Sequence, residues 1–482
     1  MNSDKTSRAY LSQTVVQPHM TKRQRIISYW LSWLGPSLAS GVLKIASMAA
    51  TFLIMILLGR RGGTETLGLF SLGLTSLQLV VLVVGFGLPN YLMRQVAWSR
   101  SHKVSEYSFG GDYFISFWFV ALWGAIVCGG LFAGSAYLSE KLFHNVLFAE
   151  VLRWTTVAIV PYTLLVLQTE VLRGLGFPIL SQVLQTLLIS TLTLVWILAG
   201  PYVGFNKISA SIAMAGYASS SWAAALVTVF CWQMKSRKVL FCQNPYKKTS
   251  FFYGEQIRKT IKRIGALLRK GSLFLVAAVA MTVMAMTDTL MLGMLSSVDA
   301  VGSYSAASRL AGSMAIILFS VNNILAPKLG HSYADGDMSN FSKQVHTGIA
   351  LSFWPTLLAG GILLVFSSEL LALFGNEFEK AALVMQILVV ASLINALCGP
   401  VGWVLCMTGH ESTFQRILLA SAGLNIILNA ILIPQYGAIG AAIATAVCTA
   451  LWNILAAIFV SKYLGVCTIY GCNRFLERHT NG

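Results

Sequence analysis

Two stretches of this 482-residue chain, 234 positions apart, carry the same pattern. Residues 58–73 read LGRRGGTETLGLFSLG, residues 292–307 read LGMLSSVDAVGSYSAA, and the two align without a gap. A leucine, two glycines and a serine are identical, and an acidic, an aliphatic and an aromatic position match in type. The pattern predicts that the chain contains an internal duplication.

Two shorter matches support the duplication. At an offset of 233, VLRGLG (171–176) falls on VLCMTG (404–409), and the P-x-x-G that begins at Pro201 falls on the one at Pro434. A unit with six membrane spans returns to the side on which it began, so the two copies would be parallel. Transporters that rock two helical bundles about a central site are built from such repeats.

The composition places the chain in a membrane. Its mean hydropathy is +0.71 and 11% of its residues are charged, whereas soluble proteins have about 25%. Apolar windows of about 20 residues, long enough to cross a bilayer, recur along the chain. We therefore predict an all-α polytopic membrane protein with twelve spans in two parallel six-helix repeats around a central cavity. The predicted spans are 38–58, 69–93, 113–138, 154–173, 179–203, 208–234, 271–295, 301–327, 348–367, 381–407, 416–433 and 438–461.

The basic residues orient these spans. With both termini in the cytoplasm, 26 of the 34 Lys and Arg residues fall in cytoplasmic segments, six in outward loops and two within spans. Cytoplasmic loops of membrane proteins collect positive charge, which supports this topology. The net charge of +17 then reflects orientation and contact with anionic membrane lipids, and it gives no support to a nucleic-acid partner.

The same map divides the chain into five segments. Residues 1–37 form a cytoplasmic tail with a pattern compatible with an interfacial helix, and 38–234 form an N-lobe. A basic cytoplasmic connector covers 235–270, a C-lobe covers 271–461, and a second cytoplasmic tail covers 462–482. The connector ends in IRKTIKRIGALLRK, which is typical of a basic amphipathic helix on a membrane surface.

Several motifs resemble a known family. They are LG-x8-G-x-[FY]-S in both halves, TDTLMLGMLSSVDAVGSYSAASRL (287–310), LALFGNEF (371–378) and IPQYGAIGAAIAT (433–445). They resemble the polysaccharide transporter family, which contains the bacterial O-antigen flippases, within the superfamily of multidrug, oligosaccharidyl-lipid and polysaccharide exporters. The resemblance covers nearly the whole chain after residue 38.

The resemblance implies a function. Such a protein moves polyprenyl-pyrophosphate-linked oligosaccharide, for example an O-antigen unit of lipopolysaccharide, across the bacterial cytoplasmic (inner) membrane. It is driven by a proton or sodium gradient rather than by ATP, and its partners are the lipid-linked oligosaccharide, membrane lipids and a polysaccharide polymerase. Two alternatives stay open: a multidrug or cation antiporter of the same superfamily, and a membrane-embedded glycan polymerase.

Enzymatic signatures are absent from the sequence. It contains no G-x-x-x-x-G-K-[ST] phosphate loop, no paired carboxylates, no nucleophile elbow and no metal-ligand spacing among its eight cysteines. The predicted outward loops are short, which argues against a polymerase. We therefore expect a non-enzymatic protein without a cofactor, a metal site or catalytic residues.

Two charged residues lie inside predicted spans 7 and 8. Asp288 and Arg309 each lie about 10 Å from the outer end of their helices, so they share a depth in the hairpin. A structural ion pair is one interpretation, because a lone charge in the membrane is costly. The other is functional: Arg309 attracts the pyrophosphate or acidic sugars, and Asp288 exchanges a coupling ion.

Lys44 lies on a polar stripe of span 1. The spacing of three and four residues places it on one helix face with Ser40, Ser47 and Thr51. Lys44 could snorkel to the inner headgroups, but that would not account for the hydroxyls. The stripe therefore favours a cavity lined by Ser40, Ser47 and Thr51, with Lys44 as a substrate-binding residue.

Three further candidates are weaker. Glu170 and Arg173 have the i, i+3 spacing of an interfacial ion pair, and Glu170 is a second candidate for ion coupling. Arg94 ends span 2 and is a third substrate-binding candidate, although its position also fits topology alone. Hydrogen bonds between helices are expected from the asparagines within spans, which are Asn322, Asn323, Asn425 and Asn429.

Overall fold

The computed structural model of the protein describes residues 22–102, 109–200, 208–240, 254–466 and 468. Most of the two predicted tails and the middle of the connector lie outside the described residues. The side chains of the predicted interfacial helix near the N-terminus also lie outside them.

Helix is the dominant structure of the first half. Its elements are α1 (Lys22–Gly85), α2 (Leu88–His102), α3 (Phe109–Lys141), α4 (Phe148–Gly174), α5 (Pro178–Gln182), a π-helical turn (Val183–Leu187), α6 (Leu188–Ala199) and α7 (Ala210–Leu240).

The second half is helical as well. Its elements are α8 (Gly254–Leu295), α9 (Val298–Gly312), α10 (Ala315–Ala334), α11 (Met338–Val365), α12 (Ser367–Ala372), a 3₁₀ turn (Asn376–Ala381), α13 (Ala382–Cys398), α14 (Val401–Met407) and α15 (Glu411–Leu464).

The helices match the predicted membrane class. In the part of the chain that the structure describes, nine helices are long and apolar enough to cross a membrane, and there is no strand. Two of them fold back on themselves, because α1 breaks at Gly63 and α15 breaks at Gly437. Both glycines have positive φ, which side chains rarely tolerate. The all-α polytopic class is confirmed, whereas twelve spans in two equal repeats stay a prediction.

Local geometry supports the duplication. Gly176 follows the end of α4 with φ 86°, and Gly409 follows the end of α14 with φ 80°. These two glycines are the aligned last residues of VLRGLG and VLCMTG. The two halves therefore end equivalent helices with the same left-handed glycine.

The duplicated motifs meet at one end of the bundle. We call it the hairpin end, because Gly63 and the Ser296–Ser297 turn lie there. A Cβ added to Gly68 would overlap the Val298 carbonyl oxygen, and one added to Gly302 would overlap the Thr64 carbonyl oxygen. The two contacts are equivalent under the 234-residue offset, as expected for parallel copies related by a two-fold axis.

Side chains close the rim of this contact. The Thr64 hydroxyl donates to Asp299 at 2.6 Å, and Arg60 Nε donates to the Leu373 carbonyl at 2.7 Å. Each bond joins the first half of the chain to the second. The two halves are therefore in direct contact at the hairpin end.

The opposite end, which we call the connector end, is also closed on one side. Helix α8 runs without a break from the connector into span 7, and its Arg263 donates to Asp112 of α3 at 2.7 Å. Nearby, a Cβ on Gly87 would overlap the Gly271 carbonyl oxygen. The basic segment 257–270 is helical, as expected, and continues without a break into span 7. Its position on the membrane surface stays a prediction.

Replacing Gly302 by alanine should disturb the hairpin-end contact, since the added methyl group meets backbone that cannot rotate away. We expect a loss of about 1–3 kcal/mol of stability, the usual cost of overpacking. Thermal unfolding in detergent measures it. The matched control is Gly312→Ala, ten residues further along the same span, where an added Cβ meets nothing within 4 Å. Equal melting temperatures for the two variants would contradict the contact.

Candidate functional site

A buried polar cluster surrounds Asp288 in the second half of the chain. The Tyr304 hydroxyl donates to Asp288 Oδ2 at 2.6 Å, and the Thr445 hydroxyl donates to the same oxygen. Asn429 Nδ2 donates to Oδ1 at 2.7 Å, and Asn425 Nδ2 lies 3.4 Å from it. Four side chains therefore hold a carboxyl group that is only 4% exposed.

The chain fold explains why these residues meet. Asn429 and Thr445 each lie eight residues from Gly437, where α15 folds back, so they return to the same depth about 12 Å from the turn. Asp288 and Tyr304 lie at a similar distance from the hairpin that joins α8 to α9. The kink and the hairpin thus bring polar residues of four spans together.

The cluster offers oxygen ligands. Asn429 Oδ1 is buried and has no hydrogen-bond partner among the described residues. Asn429 Nδ2 donates to Asp288 Oδ1 and, at 3.1 Å, to the side-chain oxygen of Asn425. The oxygens of the cluster are those of the Asp288 carboxylate, the two asparagine amides and the Thr445 hydroxyl. Such a set has one negative charge and several neutral oxygens. Chemically, it suits one monovalent cation or one exchangeable proton.

The predicted ion pair between Asp288 and Arg309 does not form. The Asp288 oxygens are bonded to Tyr304, Thr445 and the two asparagines. The equal depth of the two charges was estimated from sequence, but depth alone does not fix the helix face. The interpretation of the pair as a hairpin fastener is therefore wrong for this structure.

Arg309 lies on α9 between Gly302, which is in tight contact with the first half of the chain, and Gly312, which is beside open space. It is half-buried in the last turn of α9, and a Cβ on nearby Gly312 would meet nothing within 4 Å. Within the described residues, its guanidinium has no hydrogen-bond or ion-pair partner. A half-buried arginine of this kind is available to bind an anion.

Lys44 joins the two halves of the chain. Its ammonium nitrogen lies 3.2 Å from the ring centroid of Phe319, with Lys44 on α1 and Phe319 on α10. A cation over an aromatic face is stabilised by about 0.5–2 kcal/mol. Lys44 is therefore directed to the other half of the chain, and its role as a substrate-binding residue stays a prediction.

The polar stripe of span 1 pairs with a second polar stripe on span 5. The partners are Ser40 with Gln182 at 2.5 Å, Ser47 with Thr186 at 3.1 Å, and Thr51 with Ser190 at 3.2 Å. The matching residues on span 5 are four apart: Gln182 precedes the π-helical turn, Thr186 lies within it and Ser190 follows it. Packing of α1 on span 5 is therefore sufficient to explain the stripe, and a cavity lined by Ser40, Ser47 and Thr51 stays a prediction.

The weaker candidates are resolved in part. Arg173 Nη1 lies 2.9 Å from Glu170 Oε1, so the predicted i, i+3 pair is confirmed. Arg94 is exposed on α2. The expected interhelical bonds of Asn425 and Asn429 are also confirmed by their contacts with α8. Ion coupling at Glu170 and substrate binding at Arg94 stay predictions.

The sequence reasoning missed Tyr304 and Thr445 as partners of Asp288. Both belong to motifs that were read as fold patterns, GSYS and IGAAIAT. Their spacing could have suggested the site, since each lies at the depth of Asp288 on a neighbouring span. The Asp112–Arg263 pair was missed as well, because 151 residues separate its members.

Comparison with known proteins places these features in a family. The family model described as "Polysaccharide biosynthesis protein" matches residues 37–330, well over half of the chain. The chain belongs to the polysaccharide biosynthesis protein family. A second family model, described as "MatE", matches residues 274–431. The family resemblance deduced from the motifs is thus confirmed, and the chain is a multi-pass membrane protein.

One similar sequence comes from Haloferax volcanii. This "Probable low-salt glycan biosynthesis flippase Agl15" is 28% identical over 184 residues. The match covers 37% of this chain and 38% of that protein, so it spans well under half of either.

Solved structures share the fold. "Lipid II flippase MurJ, inward closed conformation" superposes with a TM-score of 0.67 at 14% identity and covers 88% of this chain and 87% of that one. The inward-facing conformation of a multidrug resistance MATE family transporter gives 0.65 at 13% identity, over 87% and 94%. At these identities the likeness shows the fold alone.

Removing the Tyr304 hydroxyl should destabilise the protein. Tyr304→Phe deletes a hydrogen bond to a buried carboxyl group, and such bonds contribute about 1.5–3 kcal/mol. Thermal unfolding should show this loss, whereas Tyr137→Phe, at a tyrosine that is 69% exposed, should show almost none. The losses from Tyr304→Phe and Asp288→Asn should not add, because both remove one interaction. Additive losses would mean that the two side chains act independently.

Proposed function

We propose that the protein is a flippase for polyprenyl-pyrophosphate-linked oligosaccharide, which it moves from the inner to the outer leaflet by alternating access. The observation that carries the proposal is Arg309, a half-buried arginine without an acidic partner among the described residues, inside a membrane span. A family whose members take part in polysaccharide biosynthesis supplies the substrate class. The proposed activity is transport, without catalysis.

The two cations suit the passage of an anionic headgroup. Phe319, the ring under Lys44, lies ten residues after Arg309, which is about 15 Å further along span 8. Two positive charges about 15 Å apart would offer binding positions across half of a hydrocarbon core that is about 30 Å thick. The pyrophosphate would meet Lys44 first and Arg309 second, while the polyprenyl chain stays in lipid.

The orientation follows from the basic residues. We take the connector end as cytoplasmic, because the connector segment 235–270 alone contains eleven Lys and Arg residues. Both termini are then cytoplasmic, and the closed hairpin end faces outward. We extend the proposal to the bacterial inner membrane, to O-antigen or a similar surface glycan, and to contact with a polysaccharide polymerase.

The contacts at both ends support a two-state cycle. The hairpin end is closed by Gly68 and Gly302, and the connector end is joined by Asp112–Arg263 and Lys44–Phe319. Opening the connector end admits the substrate, and opening the hairpin end releases it. The few polar contacts at the connector end can be exchanged for contacts with an anionic headgroup.

The buried cluster is the proposed coupling site. Asp288 would hold a sodium ion or a proton in one state and release it in the other. Asp288 lies on α8 and its partners on α9 and both halves of α15, so a change in occupancy would alter the packing of four spans. This links the ion to the shape of the C-lobe.

Replacing Lys44 and Arg309 by alanine should stop transport. Each lost contact between a positive charge and a phosphate costs about 1.5–3 kcal/mol, so flux should fall by about a hundredfold or more. Cells that lack the wild-type protein and express the double variant should accumulate lipid-linked oligosaccharide on the cytoplasmic leaflet. Arg309→Lys keeps the charge and should retain part of the activity.

Two results decide this test. Lys462→Ala, which removes an exposed basic residue of α15, should transport normally in the same cells. Full transport by the Lys44/Arg309 double variant, at normal membrane abundance, would refute the cationic pathway.

Asp288→Asn should uncouple transport from the ion gradient. If sodium is the ion, NaCl should raise the melting temperature of the wild type relative to choline chloride, because a bound ligand stabilises the folded state. The variant should lose this difference, whereas Glu379→Gln, at an exposed acid, should keep it. If the proton is the ion, the variant instead loses transport driven by a pH gradient. Coupled transport at the wild-type level by Asp288→Asn would exclude this site.

A cation antiporter is the second candidate, favoured by the "MatE" match over residues 274–431 and by a buried acid in that region. In this case the cells should export cationic dyes, and Asp288→Asn should prevent the export. Normal surface glycan in a deletion strain would favour this candidate over the flippase.

A further inference from the structure

A groove between α10 and α11 lies outside the features assigned so far. It has a volume of about 340 Å³ and opens at the surface of the bundle. Lys328 of α10 and Lys343 of α11 lie at its mouth, and both side chains are exposed. Val321, Leu325 and Leu351 supply apolar lining, and Leu351 is itself exposed to the surroundings of the bundle. Two cations above an apolar channel match the chemistry of an anionic lipid.

The depth of the lysines fits a lipid headgroup. Lys343 lies 22 residues before Val365, where α11 ends at the hairpin end, a distance of about 33 Å. The hydrocarbon core is about 30 Å thick, so the lysine lies at the headgroup level of the opposite leaflet. That leaflet is the one nearest the connector end.

The outer face of α11 is directed at lipid. Lys343, Thr347 and Leu351 are four residues apart and share one face of the helix, and all three line the groove. The same face continues to Trp354, which is 55% exposed, and Leu358, which is 70% exposed. The charged residues at the mouth would face a phospholipid headgroup, and the exposed apolar residues beyond them would face its acyl chains.

We propose that this groove binds one anionic phospholipid of the leaflet at the connector end. Its phosphate lies between Lys328 and Lys343, with Asn340 and Thr347 as hydrogen-bonding neighbours, and one acyl chain lies along Leu325 and Leu351. Charge complementarity favours an anionic phospholipid, because a zwitterionic headgroup would bring its own positive charge close to the two lysines.

The site also touches the junction between the two halves. Ser320 lines the groove, and the adjacent Phe319 is the residue that Lys44 covers. A lipid chain in the groove therefore lies beside the Lys44–Phe319 contact. Binding there would favour one arrangement of α1 and α10 over another.

The test uses purified full-length protein and native mass spectrometry with added phosphatidylglycerol or phosphatidylcholine. The wild type should retain one phosphatidylglycerol in preference to phosphatidylcholine. Lys328→Gln with Lys343→Gln should weaken retention by about tenfold, since each basic residue near an anionic lipid contributes measurably. Thr347→Trp should also weaken it, because the indole fills the groove while both lysines remain.

A matched control removes two exposed lysines elsewhere, by Lys141→Gln with Lys462→Gln, and should retain the lipid as the wild type does. Equal retention by the Lys328/Lys343 variant and the wild type would overturn the proposal. Equal retention of the two phospholipids would overturn it too. If the double variant does not fold, Lys343→Gln alone decides, since its side chain is exposed.

A final comparison tests the identity of the occupant. Undecaprenyl diphosphate added at equal concentration should not displace phosphatidylglycerol from the groove. Displacement that depends on Lys328 and Lys343 would show that the groove receives the lipid carrier of a glycan, and the phospholipid assignment would be wrong. Both results are independent of transport, so the groove and the flippase proposal can fail separately.

Discussion

The cost of placing charge in hydrocarbon governs this structure. A charged side chain near the centre of a bilayer costs about 2.5–3.5 kcal/mol on insertion scales, and more without partners. Asp288 meets this cost with hydrogen bonds from Tyr304, Thr445 and two asparagines, which bind α8, α9 and both halves of α15 together. One carboxyl group therefore ties together four spans of the C-lobe. Any change in its protonation or ion occupancy has to be accommodated by four spans.

The basic residues within the spans have fewer interaction partners than Asp288. Lys44 has only an aromatic ring as its described partner, and Arg309 lies beside open space at Gly312. A buried carboxyl group with a complete set of donors is a stable part of the lobe. Cations with weak or absent partners retain the capacity to bind an incoming anion. This contrast between a satisfied acid and available bases supports the proposed transport of an anionic lipid-linked substrate.

Contact between the two halves depends on close backbone approach as well as on large side chains, since the rings of Phe52 and Phe374 also meet across the halves with centroids 5.5 Å apart. Gly68 and Gly302 allow helices to approach until carbonyl oxygens lie where a Cβ would be. Small residues permit this close packing in membranes, where apolar side chains gain little by leaving lipid. The lysines of the α10–α11 groove lie near the opposite end, where we propose that they bind an anionic lipid.

The sequence by itself determined the membrane class and the family, and it predicted the duplication and singled out Asp288, because hydropathy, repeat offsets and a lone charge within a span are local signals. It also predicted the Glu170–Arg173 pair, whose members are one helical turn apart. Only the tertiary structure decided the partners of Asp288, the Arg263–Asp112 pair and the pairing of the span 1 stripe with span 5. Those contacts depend on how helices rotate about their axes and on where Gly437 turns the chain. A residue's depth in the membrane can be counted along the sequence, whereas the face it presents to a distant helix is fixed only by packing.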